Sequence, residues 1–258
     1  MVLTPAAVPA ATLVDVSGVS GYVRLVAVVA VLAGLAALVS HLGRLQPART
    51  DLSAALRATV QLGAVGLLIT VVLRSWWLTA AFVALMLTVA SVTSGRRLVP
   101  HGRWWVAAVP VWAAAVPVGL ALMASGLIPL AEVSVVPVLG ILVGNAMTAT
   151  TLAGRRTLDA LSGRRGEVEA ALSIGFGTRD ARVLVARDDA ALALLPGLDQ
   201  TRTVGIVTLP GAFVGVLLGG ATPLQAAAVQ LVVLAALLLV QSVAVLITLE
   251  LCARDVLR

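Results

Sequence analysis

Seven apolar runs, each close to or above the roughly 20 residues an α-helix needs to cross about 30 Å of hydrocarbon, alternate with connections that hold nearly every arginine of the chain. They lie at about 23–40, 58–73, 76–93, 104–124, 127–152, 203–219 and 224–251. With 60% hydrophobic and 12% charged residues, and a mean hydropathy of +1.07, the chain has too little polar surface to cover a soluble fold. Aromatic residues make up only 3%. The apolar mass is therefore Ala, Val and Leu, which suits close-packed helices better than the alternating, aromatic-girdled strands of an outer-membrane barrel. The expected fold is all-α, a polytopic bundle of about seven transmembrane helices. The second and third runs share only Arg74 to Trp77, so they read either as one hairpin or as two tilted spans.

Arginine placement sets the expected orientation, because Lys and Arg are retained on the cytoplasmic side of a membrane while Asp and Glu matter little. Sixteen arginines fall on alternate connections: Arg44, Arg49, Arg57, Arg96, Arg97, Arg103, eight between 155 and 202, Arg254 and Arg258. Only Arg24 and Arg74 fall on the opposite side. The N-terminus is expected outside and the C-terminus inside, which requires an odd number of crossings. Residues 1–22, with Asp15 as their single charge, lack the basic start of a cleaved signal peptide and read as an external tail. Residues 23–258 read as one membrane domain, placed in the cell membrane. The formal charge of +6 follows from these span-end arginines, so nucleic acid is not an expected partner; membrane lipid is.

All eighteen basic residues are arginine. Without a lysine there is no phosphate-binding loop of the G-x-x-x-x-G-K-[ST] type and no Schiff base for retinal. His41 and His101 stand in arginine-flanked loops without a second ligand at metal spacing. No H-E-x-x-H, no G-x-S-x-G and no paired carboxylate falls within a span. No catalytic residue, no metal site and no resident cofactor is expected. Cys252 is the single cysteine, which excludes an internal disulfide.

Several polar residues enter the apolar runs. Arg57 and Gln61 share a helix face at i and i+4, the arginine able to snorkel to the interface. Asn145 follows a Gly140-x-x-x-Gly144 step that admits a neighbouring backbone. Pro210 and Gly211 with Gly215 and Gly219 form a ridge of small residues, read as a tight helix contact or a bend. Gln230 and Gln241, eleven residues apart, fall nearly in line after three turns, with Gln225 at the start of the run. For Arg57, Gln61, Asn145 and Gln230 two readings stand, lining of a polar path and helix packing. Pro110 and Pro117 should kink one face twice.

The segment 155–202 carries eight arginines against seven acids, Asp159, Glu167, Glu169, Asp180, Asp188, Asp189 and Asp199, a mixed-charge folded surface rather than a polybasic tether. Helical spacing predicts one short helix over Glu167 to Ile174, ended by Gly175 and Gly177. A second is predicted over Arg179 to Leu195, with Thr178 as N-cap and Pro196-Gly197 as the stop. Two helices with a glycine break suit docking to a cytosolic partner.

Its E-A-A-L-S-I-G-F-G, Glu169 to Gly177, resembles the cytosolic coupling loop of ABC permeases. Together with R-A-T-V-Q-L at Arg57 to Leu62, V-P-V-L-G-I-L-V-G-N-A-M at Val136 to Met147, the run Ala193 to Gly215 and L-G-G-A-T-P-L-Q-A at Leu218 to Ala226, it resembles the iron-export ABC permease family called FetB, related to the plant aluminium-sensitivity permeases. The resemblance covers roughly Arg57 to Leu251. It implies a homodimeric permease subunit exporting a metal, iron, driven by a separate ATPase subunit that holds ATP and Mg. It also implies a coupling role for Glu167, Glu169, Ala170, Gly175 and Gly177. Alternatives from other classes are a stand-alone secondary transporter, with discontinuous-helix ion sites at Gly140 to Asn145 and Val204 to Gly211, and a non-transporting membrane scaffold.

Overall fold

The computed structural model describes residues 18–257, in which the regular structure is helical. Most of the expected tail, residues 1–17, lies outside the described residues; 18–22 open the first helix. Contacts group the chain into two compact units, one ending at Arg74 and one beginning at Ser75.

The first unit is a hairpin of α1 (Gly18–Leu42) and α2 (Ala48–Val72). Arg44, with φ 52°, turns the chain between them, and Pro47, which has no amide hydrogen to leave unpaired, precedes the first turn of α2. Most of its Leu and Val side chains are exposed, as on helices whose solvent is lipid. The second unit holds α3 (Trp76–Leu98), α4 (Ala108–Ala124), α5 (Glu132–Gly163), α6 (Arg165–Ser173), α7 (Thr178–Ala191), α8 (Leu195–Thr203), α9 (Gly211–Leu218) and α10 (Pro223–Ala253). The runs at 58–73 and 76–93 are thus two separate helices.

The core of the second unit lies where α3, α4, α5 and α10 meet, with α7 packed on at one end. Alanine dominates the closest contacts: Ala114, Ala115, Ala146, Ala153 and Ala244 are all fully enclosed. Small side chains let backbones approach where no hydrophobic force distinguishes a helix neighbour from a lipid tail. Gly95 is the extreme case, since a Cβ there would lie 1.9 Å from the backbone oxygen of Trp104. A 3₁₀ turn, Trp104–Ala107, leads into α4. Pro110 falls in the first turn of α4, where its missing amide interrupts no hydrogen bond; only Pro117 is interior. The expected double kink of this face is therefore reduced to one proline position.

Among the described residues six helices, not seven, are long and apolar enough to cross a membrane: α1, α2, α3, the Trp104–Ala124 helix, α5 and α10. The expected span at 203–219 breaks into a tight loop and the eight-residue α9, about 12 Å long. Gly205 at φ 83° closes the loop, Pro210 caps α9 and Gly220 at φ 91° ends it, so helix cannot propagate across the run. Yet α5 and α10 run parallel: Asn145 meets Gln241, and farther along both helices Leu158 and Cys252 line one crevice. The chain between them therefore returns through the same depth, partly as α9 packed on α10. At the other extreme, α5 continues nine residues into the charged segment, taking in Arg155, Arg156 and Asp159.

Candidate functional site

At the shared end of α5 and α10 the charged residues build an arm. Arg164 leaves α5 and pairs with Asp189 of α7, and with Glu167 in the first turn of α6 at 3.9 Å. Helix α6 stops at Ser173 because Gly175 takes φ 95°, a left-handed turn that L side chains rarely adopt. Gly177, rather than Thr178, is the N-cap of α7. The arm is then tied to α10. Arg179 donates to both Glu250 carboxylate oxygens, at 2.7 Å from one terminal nitrogen, and Arg254 donates to the same carboxylate at 2.6 Å. Glu250 first, and then Asp180, raise the Arg179 guanidinium further above its ordinary range. Arg182 donates to the Ala253 carbonyl at 3.2 Å and faces Asp255 at 3.6 Å.

Of the residues linked to coupling, Glu167, Glu169 and Ala170 are exposed, and Ala171 is the alanine that packs inward. Glu169 borders a crevice of about 450 Å³ with Asp159, Arg165, Arg182 and Asp255. Around the glycine turn three large apolar side chains face outward: Leu172, Ile174 at 76% exposure and Phe176 at 43%. Their neighbours Arg165, Glu167, Glu169, Arg179 and Asp180 are charged. An exposed apolar cluster rimmed by charges is the pattern of a contact site for another protein or a membrane surface.

Pro196 and Gly197 do not stop the second helix. Leu192–Leu194 tightens into a 3₁₀ turn and α8 begins at once, with proline in its first turn, where it fits. This extension carries the arm up to the polar residues of α5 and α10. Gln241, 6% exposed, donates from Nε2 to Asn145 Oδ1 at 2.8 Å. Asn145 donates from Nδ2 to the Ile141 carbonyl at 2.9 Å. Gly197 packs so closely that a Cβ there would stand 1.8 Å from Gln241 Oε1. A cavity of about 70 Å³, bordered also by Thr148 and Gln200, adjoins the three.

Gln230 is buried on α10, and Gln225 is taken up by a capping box with Thr222 at the start of that helix. Arg57 and Gln61 lie exposed on α2, in the first unit. Gly140 faces the Met86 side chain of α3, whereas Gly144 faces open space. Gly211 and Gly215 likewise have nothing within 4 Å of a built Cβ; Pro210 and Gly219 cap the two ends of α9. No group of three His, Cys, Asp or Glu side chains is gathered for a metal among the described residues.

Two features escaped the sequence reading. Arg179 reaches Glu250 across 71 positions of sequence, a separation that local spacing does not reveal. Gly197 was read as a helix stop because Pro-Gly ends helices locally, while its packing against Gln241 depends on the tertiary fold.

These features define a multi-pass helical membrane protein with a polar helical arm built on two of its spans. The model of the family described as "Uncharacterised protein family (UPF0014)" matches residues 23–257, and the chain belongs to that family. It is 34% identical over 206 residues to "UPF0014 membrane protein STAR2" of Oryza sativa subsp. japonica, covering 78% of this chain and 72% of the relative. It is 32% identical over 183 residues to "Protein ALUMINUM SENSITIVE 3" of Arabidopsis thaliana, covering 69% and 66%. With "Probable iron export permease protein FetB" of Escherichia coli (strain K12) it shares 31% identity over 120 residues, 46% of each chain. No solved structure matches.

Proposed function

We propose that this chain is the membrane-spanning permease subunit of an ABC transporter in the cell membrane, exporting a metal ion, iron, as a homodimer with a separate ATPase subunit. ATP and Mg belong to that partner. The apolar cluster Leu172, Ile174 and Phe176, exposed on a charged arm, carries the reading. It gives a partner a hydrophobic anchor, with Glu167 and Glu169 beside it to set orientation. The name of the FetB relative supports iron and export.

Arginine placement puts the arm in the cytosol. Closure of the ATPases on nucleotide pushes α6 and the glycine turn, and the anchoring of α7 to Glu250 passes that push to α10. Metal transit past amides, hydroxyls and carbonyls needs no acidic cage, in keeping with the absence of a carboxylate from the middle of any described span.

Co-expression with the ATPase subunit and purification of the complex from membranes tests the reading, together with iron(II) flux in inside-out vesicles. Co-purification and ATP-driven flux are expected, both lost in Glu169→Arg although the variant still inserts. Failure to capture an ATPase, combined with flux indifferent to an ATPase-dead partner, would sink it.

A further inference from the structure

The arm touches α10 at its charged end and again deeper along the helix, and the deeper contact is the informative one. Its first tie is Arg179 to Glu250, at the charged end of the helix. Its second is Gly197 against Gln241, nine residues and so about 13 Å deeper along α10. Gln241 is also the residue that joins α10 to α5, through Asn145 Oδ1. Its other amide atom, Oε1, is buried without a hydrogen-bond partner, pressed against the Gly197 backbone. An amide held this way gains nothing from Oε1 while the arm is seated, and a small displacement of Gly197 frees it to rotate.

We propose that Gly197 is a positioning residue that holds a latch, the Gln241–Asn145 hydrogen bond between α10 and α5, and that movement of the arm opens this latch when the partner ATPase acts. The inference rests on the transporter reading above and adds where the cytosolic push enters the membrane-spanning helices. Three observations converge on it. Glycine is required at 197 because any side chain would overlap the Gln241 amide. The segment from Thr178 to Thr203 is helical almost without interruption, so displacement at its start is carried to Gly197 rather than absorbed by a loop. The adjoining cavity of about 70 Å³ gives a released Gln241 side chain room to move into.

Gly197→Ala tests this in the complete permease–ATPase complex, with iron(II) flux and ATP hydrolysis measured side by side. The added methyl displaces Gln241 and leaves the latch open. Flux per ATP is expected to fall roughly 2- to 30-fold, the range seen for residues that couple distant sites, while hydrolysis stays near wild type. Gln241→Ala and Asn145→Ala should uncouple similarly, and Gly197→Ala combined with Gln241→Ala should be no worse than Gln241→Ala alone, because both remove one contact. Should Gly197→Ala fail to accumulate, Gln241→Asn serves: it shortens the side chain by one methylene and cannot span to Asn145, with no bulk added. Wild-type coupling in these variants, or additive losses in the double variant, overturns the latch. A wild-type complex with no ATP-driven flux overturns the transporter reading, and the latch falls with it.

Discussion

Replacing Gly95 by alanine should destabilise the second unit, although the same change in a free helix is favourable. Alanine exceeds glycine in helix propensity by about 1 kcal/mol, and Gly95 lies in the last turns of α3. Opposing this, the new methyl would stand 1.9 Å from the Trp104 carbonyl oxygen and 2.7 Å from its carbon. Those are backbone atoms at the start of the 3₁₀ turn that feeds α4, so no rotamer change relieves the overlap and the two helices must separate. Overpacking of this kind costs about 1–3 kcal/mol, and a backbone obstacle places Gly95 at or above the upper end. The net loss is then about 2 kcal/mol, or a fall of about 4–8 °C in Tm for a chain of this size. Gly163→Ala is the matched control, since nothing lies within 4 Å of its Cβ position and its change should be neutral or slightly stabilising. Thermal unfolding in detergent, followed by tryptophan fluorescence, reads both variants, with Trp104 reporting on the contact itself. Equal Tm shifts in the two variants would refute the packing account.

Two further outcomes are expected. Thr222→Ala removes the hydroxyl that accepts from the Gln225 amide in the capping box of α10, which costs about 1 kcal/mol and shows as faster hydrogen exchange confined to the first turn after Pro223; unchanged exchange there would count against the cap. Arg179→Ala unties α7 from Glu250, so amide exchange should accelerate across Thr178–Ala191 more than across α5, and uniform protection in both helices would refute the anchoring.

The helical class and six of the crossings were readable because apolar length is a local property, scored residue by residue against bilayer thickness. Where the reading differed, tertiary geometry intervened. The run 203–219 has the composition of a span, but Gly205, Pro210 and Gly219-Gly220 divide it, and hydropathy does not weigh backbone conformation. Within the candidate site, the break at Gly175 was legible because a positive φ leaves a compositional trace. The Asn145–Gln241 pair was half legible: each amide was conspicuous in an apolar run, yet their pairing spans 96 positions. Gly197 was invisible, since a glycine chosen for the space it leaves looks the same as one chosen for a turn.

The lengths of α5 and α10 bear on how force could travel in this fold. At 32 and 31 residues they extend about 48 and 46 Å, some 16–18 Å beyond the hydrocarbon layer. The arm is therefore mounted on continuations of the spans themselves rather than on a linker. A flexible linker would dissipate a push applied at α6 into its own conformations; a helix already hydrogen-bonded along its length has few alternatives to adopt. With Glu250 tied to Arg179 on the extension and Gln241 packed against Gly197 inside the apolar region, one rigid helix is held by the same arm at two depths. Displacing the arm must then tilt α10 or break the contacts at one of the two depths. At the charged end α10 is tied to the arm by Arg179 on Glu250 and by Arg182 on the Ala253 carbonyl, whereas the deeper level rests on a packed glycine and one neutral amide, so the movement proposed above has fewer bonds to break there.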